Sequence, residues 1–300
     1  MKSVCIIGTG QAARAMGRLL ARAGYAIAAV VSRSTDRARD AARFIGVGTP
    51  STRTAAADLV LLAVPDDRIE EVAEGLGDVR GSVVAHLSGA RSSEILAAPR
   101  ARGARTGAIH PLRSFADPAG AAESFPGTFC AVEGEAAAEL ETVVRAIGGV
   151  PLRVRTEGKA LYHAGAVFAS NYLVAILEAA LRLFEAAGVP RTEALPALAV
   201  LARGTVENVS RIGIPAALSG PIERGDAATV ARHAAAIRER LPALAGLYSD
   251  LGRLSCEVAL AKGSIGKKEA GALNGAFGSP ESPGVVLLRP ERTRSRRRTK

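Results

Sequence analysis

The sequence predicts an α/β domain built on a doubly wound, mostly parallel sheet, followed by an all-α domain built on one long helix. Three observations carry this expectation. Up to about Arg155, short runs rich in Val, Ile, Leu and Ala alternate with amphipathic stretches, the pattern of βαβ units. The first of these runs ends at Ile7 and passes straight into Gly8-Thr9-Gly10 and a helical pattern. After Arg155 the strand signals stop, and a long stretch follows that is apolar around most of a helical circumference.

Taken in order, the expected strands are Ser3 to Ile7, Ala26 to Ser32, Leu59 to Val64, Ser82 to Leu87, Arg105 to Ile109, Thr128 to Val132 and Leu152 to Val154. Helices are expected between them, near Gln11 to Ala23, Thr35 to Phe44, Ile69 to Leu76, Ser92 to Ala97 and Ala136 to Ile147. From Glu157 to Ala187 the chain reads as one long helix, closed by Gly188 and Pro190 in stop positions. Further helices are expected over Thr192 to Val209, Ala227 to Arg240 and Pro242 to Ala261. The segment beyond Gly263, rich in Gly, Ser and Pro and then Arg, reads as an unstructured tail. The domain division is therefore 1–155, 156–265 and a basic tail, 266–300.

Composition narrows the function classes. A chain of 300 residues that is 48% hydrophobic and 23% charged can bury a large core. The net charge of +10 invites a nucleic-acid reading, but Arg289 to Lys300 holds seven basic residues and one acid, so most of the excess sits in that tail. No stacking aromatics interleave it and the chain has no Trp, which argues against base recognition. Cys5, Cys130 and Cys256 lie far apart without metal-ligand spacing, so neither a zinc site nor a disulfide framework is expected, and the cytoplasm is the simple location. No run approaches the ~18 apolar residues of a membrane span, and no signal peptide is read at the N-terminus.

The chemistry-bearing motifs begin at the first turn. Gly8-Thr9-Gly10-Gln11-Ala12-Ala13 fits G-x-G-x-x-A between a strand and a helix, the setting of the Rossmann dinucleotide fingerprint. Gly8 serves the tight turn, Gly10 the approach of a pyrophosphate, and Ala13 the close packing of helix on sheet. Phosphates would meet the helix's unpaired N–H groups. The second strand ends in Ser32-Arg33-Ser34 where an NAD-selective site carries a carboxylate; Arg and hydroxyls suit a 2′-phosphate instead, so NADP(H) is the expected cofactor.

Ligands of such sheets sit beyond the carboxyl ends of the strands. Val64 and Pro65 fall there after the third strand, expected to line the adenosine or ribose side of the cofactor; Ser88 and Gly89 after the fourth, expected to let a nicotinamide or substrate approach; and His110 after the fifth, where an imidazole could bind an anion or move a proton. His86 reads as strand-end packing. On the long helix Lys159, His163 and Ser170 share a face, with Tyr162 and Asn171 nearby in sequence. A Lys, a His and a hydroxyl on one stripe of an apolar helix are costly to bury without partners, so Lys159 and His163 are candidates for stabilising charge on a carbonyl or imine that receives hydride. Arg224, in the loop from Ser219 to Asp226, could supply a charge for an anionic substrate. Ser88, His110, Ser170, Asn171 and Arg224 are thus the expected substrate contacts, with no metal.

The motifs "GTGQAA", "AVPDD", "HLSGA", "HPLRSF", "KALYHAGAVFASNYL" and "GPIERGD" resemble the 6-phosphogluconate dehydrogenase-like superfamily, with ketopantoate reductase, pyrroline-5-carboxylate reductase and deazaflavin-dependent NADP oxidoreductases. More closely, the chain is similar to Rossmann-like proteins whose helical half is domain of unknown function 2520. The resemblance implies an NADP-binding domain, an all-helical C-terminal domain and a homodimer. It also implies that Lys159 stands where relatives use a Lys to bind the reacting carbonyl, while His163 replaces the Asn one turn later. The expected activity is hydride transfer to or from a small polar, anionic 2-oxo acid or imine, ketopantoate-reductase-like in its most concrete form. The alternative is a non-catalytic NADP-binding sensor or interaction protein.

Overall fold

A computed structural model describes residues 1–278; the basic stretch Arg289 to Lys300 lies outside them. The chain forms two compact units, Met1–Asn171 and a second from Tyr172 onward. The first unit therefore extends past the expected boundary at Arg155 and takes in the start of the long apolar stretch.

Eight strands form the sheet of the first unit: β1 (Ser3–Ile7), β2 (Ala26–Val31), β3 (Thr49–Ser51), β4 (Leu59–Leu62), β5 (Val83–His86), β6 (Arg105–Pro111), β7 (Phe129–Gly134) and β8 (Val150–Arg153). Their order is β3-β2-β1-β4-β5-β6-β7-β8, with every neighbouring pair parallel except β6 with β7. Alternation along the strands divides the core into two layers. Val4 and Ile6 of β1 and Leu59 and Leu61 of β4 pack under α1 (Gln11–Arg22), α2 (Thr35–Ile45) and α6 (Ala137–Ala146). Cys5, Ile7, Val60, Leu62 and Val84 face the other way, toward α3 (Ile69–Glu74) and Leu96.

Three corrections arise here. β3 is an additional edge strand, only three residues long and containing Pro50. β6 does not stop at Ile109: it continues through His110 and Pro111, held by the antiparallel β7, where His110 faces Ala131. A short helix, α5 (Pro118–Glu123), follows it, capped by the Asp117 carboxylate, which accepts from the N–H groups of Ala119 and Gly120.

The long apolar stretch is two helices, α7 (Lys159–Ala169) and α8 (Asn171–Ala186), interrupted at Ser170, whose φ of −120° and ψ of −73° depart from ideal helical values. The expectation that no run reaches membrane-span length is also corrected. Thr156–Ala186 has a window of mean hydropathy 1.6, long and apolar enough to cross a membrane by length and composition.

In the second unit α9 (Arg191–Ile212) packs Ala194 and Leu198 against Leu181 of α8. The short α10 (Ile214–Ala217) follows, then α11 (Ala227–Arg240), α12 (Ala245–Lys262) and α13 (Lys267–Phe277). Val230, Cys256, Leu273 and Phe277 form a core among the last three. An unstructured tail from residue 266 is thus not what the chain forms. Glu269 accepts from the Gly266 N–H at 2.9 Å to start α13, and Phe277 is buried at its end.

Candidate functional site

At the amino end of α1 the turn is built by Gly8, which sits at φ +125°; a Cβ there would lie 2.1 Å from the Ala63 carbonyl oxygen. Gly10 precedes the helix and offers no side-chain cap, so the first-turn N–H groups of Gln11, Ala12 and Ala13 have no side-chain partner there. A Cβ at Gly10 would meet nothing within 4 Å. Arg14 donates from Nε to the Thr9 carbonyl at 3.1 Å and pins the turn from behind, and Ala13 is buried against the sheet.

A cleft of ≈ 620 Å³ opens from this turn. Gly8, Thr9, Gly10, Val64 and Pro65 line it, and Ser32, Arg33, Ser34 and Arg37 line its far end. Ser34 caps α2 by accepting from the Arg37 N–H, which turns Arg33 and Arg37 outward, both exposed. Asp36 is paired with Arg39, and Glu71, an acid in the cleft lining, is paired with Arg68. Thr52 and Thr54, in the loop after β3, add two hydroxyls to the same lining that the sequence reading missed along with the strand. Free N–H groups at one end of the cleft, an open Gly10, and Arg with Ser and Thr at the other fit the pyrophosphate and 2′-phosphate of a dinucleotide.

The second half of the site lies at the carboxyl ends of β5 and β6. His86 follows Val84 at a spacing of two and pairs in register with Ala108; Ala108 in turn lies opposite Glu133, and His110 opposite Ala131. His86, His110 and Glu133 therefore share one face of the sheet. α7 brings Lys159, Tyr162 and His163 to these groups.

Glu133 is the hub of a buried network that sequence reasoning missed. Its Oε1 accepts from the Ser93 N–H at 2.8 Å and faces Lys159 Nζ at 3.4 Å; its Oε2 accepts from the hydroxyls of Ser93 at 2.9 Å and Thr156 at 3.0 Å. Lys159 is only 2% exposed. Burial pushes its ammonium down from the ordinary lysine range, and the Glu133 charge opposes that. A lone acid near the end of an apolar strand was the signal available in the sequence.

His86 is a packing residue of the loop that follows it. Its Nδ1 accepts the Ser88 N–H at 3.1 Å and its Nε2 lies 3.2 Å from the Ser92 carbonyl, which sets the proton on Nε2. Burial, then the Lys159 charge, hold it down at about 4. The Ser88 hydroxyl donates to Asp66 at 2.7 Å and accepts from the N–H groups of Ala90 and Arg91, so it braces the loop beside Pro65.

His110 Nδ1 lies 2.8 Å from the Tyr162 hydroxyl, and the His110 and His163 rings meet edge to face at 5.9 Å. Burial, then the charges of Lys159 and His163, push His110 down to about 4. Both imidazoles close on Gly89: a Cβ there would sit 2.6 Å from His163 Cδ2 and 2.7 Å from His110 Nε2. Gly89 thus makes room for two imidazoles. Replacing it with Ala is expected to splay the ring pair, visible as shifted His110 and His163 ring signals in NMR spectra, while nucleotide binding persists.

Of the sequence-predicted residues, Gly8 to Ala13, Ser32 to Ser34, Val64 and Pro65 gather at the turn and cleft, and Ser88, Gly89, His110, Lys159 and His163 gather at the strand ends. Ser170 and Asn171 are exposed and stand outside that group, and Arg224 is an exposed residue of the second unit. Tyr162, Glu133, Asp66, Ser93 and Thr156 join the cluster unassigned by sequence.

Residues 1–111 match a Rossmann-like domain, and residues 128–254 match the family described as Domain of unknown function (DUF2520). No curated protein matches the chain. Among solved structures, protein TM1727 from Thermotoga maritima is 28% identical at a TM-score of 0.72, covering 86% of this chain and 99% of its own. A reductive aminase from Aspergillus terreus, in complex with NADPH and ethyl levulinate, is 19% identical at a TM-score of 0.61, covering 91% and 99%. A pyrroline-5-carboxylate reductase from Coxiella burnetii is 19% identical at a TM-score of 0.57, covering 91% and 96%.

Proposed function

This chain joins a Rossmann-like domain to a domain of the DUF2520 family, and we propose that it is an NADP(H)-dependent reductase of a small polar 2-oxo acid or imine. The observation that carries the reading is one compact unit holding both a phosphate cradle with a cationic far end and, at neighbouring strand ends, an imidazole pair on a glycine wall. Proteins of the same fold named as a reductive aminase, seen with NADPH, and as a pyrroline-5-carboxylate reductase support it.

Bound nicotinamide would supply hydride. The chain's own residues do the rest. The Gly8–Gly10 turn and the first turn of α1 hold the pyrophosphate, and Arg33 with Ser32 and Ser34 hold the 2′-phosphate. His110, neutral at pH 7, presents a nitrogen beside Gly89 toward the oxygen or nitrogen that gains charge during reduction. Lys159 acts behind this wall: buried and paired to Glu133, it is positioned to shift the histidines electrostatically. A ketopantoate-reductase-like substrate is the most concrete form of this reading.

Oxidation of NADPH by the purified chain with pyruvate and a panel of related small 2-oxo acids and cyclic imines tests the proposal. Acceptor-dependent loss of NADPH is expected. Binding without turnover on the whole panel would leave the sensor as the better reading.

The second unit is proposed to pair with a copy of itself. Val174 (69%), Val200 (71%) and Leu201 (66%) stand exposed on α8 and α9. A membrane is a poor cover for them, because α8 also carries Glu178, Arg182 and Glu185, ion-paired with one another or with Arg191. Light scattering is expected to give the mass of a dimer; a monomer, or recovery in the membrane fraction, would refute the pairing.

A further inference from the structure

Tyr162 precedes His163 in α7 and reaches the carboxyl end of β6, where its hydroxyl lies 2.8 Å from His110 Nδ1 with the two rings edge to face at 5.7 Å. The opposite edge of the same imidazole, Cε1 and Nε2, is turned to Gly89. One ring nitrogen is therefore engaged by a phenol, and the other is presented at the wall where the reducible group would lie.

The direction of the hydrogen bond follows from the two partners. A phenol delocalises its oxygen lone pair into the ring and is the better donor, while a neutral imidazole offers a localised nitrogen lone pair. The O–H of Tyr162 thus donates to Nδ1, which leaves the His110 proton on Nε2, since the bond made by one ring nitrogen sets the state of the other. His86, whose Nδ1 is fixed as acceptor by a backbone N–H, carries its proton on Nε2 by the same logic.

We propose that Tyr162 and His110 form a two-residue proton relay to the oxygen of a substrate carbonyl, and that the reducible group is therefore C=O rather than an iminium. The proposal rests on the reductase reading above. In the step, the carbonyl carbon receives hydride, with its two electrons, from reduced nicotinamide, and the π pair of C=O moves onto oxygen. That oxygen takes the proton of His110 Nε2 as the Tyr162 O–H passes its proton to Nδ1. The products are the alcohol, the oxidised nicotinamide, His110 protonated on Nδ1 alone, and a Tyr162 phenolate that regains its proton from solvent as the tautomer resets.

The groups around the ring favour this neutral relay. Lys159 and His163 oppose an imidazolium at His110, Asp66 alone favours it, and burial outweighs Asp66. Burial raises the Tyr162 phenol to about 12, still a stronger acid than the alcohol formed. An iminium nitrogen has no lone pair for Nε2–H and would meet a donor where it needs none.

The test uses the full chain with 15N-labelled histidine. Two-bond 1H–15N spectra are expected to show His110 as the Nε2–H tautomer, and Tyr162→Phe to shift it toward Nδ1–H while NADPH binding and the circular dichroism spectrum stay unchanged. In kinetics, pyruvate or another small 2-oxo acid is expected to be reduced and the N-methylpyrrolinium cation not, with Tyr162→Phe lowering kcat by about 10²–10⁴ at similar KM. An Nδ1–H tautomer in the wild type, an unaltered kcat in Tyr162→Phe, or preference for the iminium would overturn the relay. NADPH untouched by every acceptor, with the Nε2–H tautomer observed, would instead overturn the reductase reading on which the relay stands.

Discussion

Glu133→Ala is expected to be the most damaging single change in the first unit, lowering stability by about 3–5 kcal/mol. The substitution removes a carboxylate that satisfies the buried Ser93 N–H and hydroxyl, the half-buried Thr156 hydroxyl and the buried ammonium of Lys159. What remains is a buried ammonium that has lost its ion-pair partner, with only the charge of Asp66, beyond ion-pair distance, to oppose its burial. Native domains have only about 5–15 kcal/mol in total, so thermal unfolding followed by circular dichroism should move down by on the order of 10 °C. Glu133→Gln keeps one acceptor oxygen, for the Ser93 N–H, and offers an NH2 to which the hydroxyls of Ser93 and Thr156 can turn as acceptors, so its loss should be smaller. Pairing Glu133→Gln with Lys159→Met should recover part of the loss, because the orphaned ammonium is gone. A Glu133→Ala protein as stable as the wild type would mean that the network does not hold α7 to the sheet.

Arg33→Ala is expected to weaken NADPH binding by about 10- to 100-fold, the weight of charge-assisted hydrogen bonds to a phosphate at about 1.5–3 kcal/mol. NADH binding should change little, since the contact serves only the 2′-phosphate. The exposure of Arg33, the pairing of Asp36 with Arg39 and the hydroxyls of Ser32, Ser34, Thr52 and Thr54 all favour an anion at this end of the cleft. Arg37 lines the same end and retains some attraction, so a residual preference for NADPH is expected in the single variant. Nicotinamide fluorescence titrations of both proteins with both nucleotides measure the change; equal losses for NADPH and NADH would show that Arg33 supports the fold of the loop rather than reading the phosphate.

Much of this architecture is legible in the sequence because its signals are local. The run into Gly8-Thr9-Gly10, the helix behind it and the second strand are set by residues within about thirty positions of one another, and α/β alternation extends the pattern. Where pairing is long-range, the signal fades. β3 is three residues with a proline, supported only by its neighbour β2. Nothing local marks β7 as antiparallel, yet that reversal carries β6 on through His110 and sets Glu133 on the face that α7 covers. A lone Glu in "FCAVEG" and a Lys 26 residues later are each visible in the sequence, but only the fold shows that they pair. The break at Ser170 carries neither Gly nor Pro and passes unseen in a continuous apolar pattern. α13 hides in a Gly-rich segment although its start, Gly266 with Glu269 three residues on, is a recognisable capping arrangement.

The most direct measurement is the dissociation constant of the wild-type chain for NADPH and for NADH, side by side. Both are expected to bind, NADPH at least tenfold more tightly, because the turn holds what the nucleotides share and Arg33 holds what distinguishes them. No binding of either would contradict this at its root: the Gly8–Gly10 turn would then be architecture alone, and the reductase and the relay built on it would fall together.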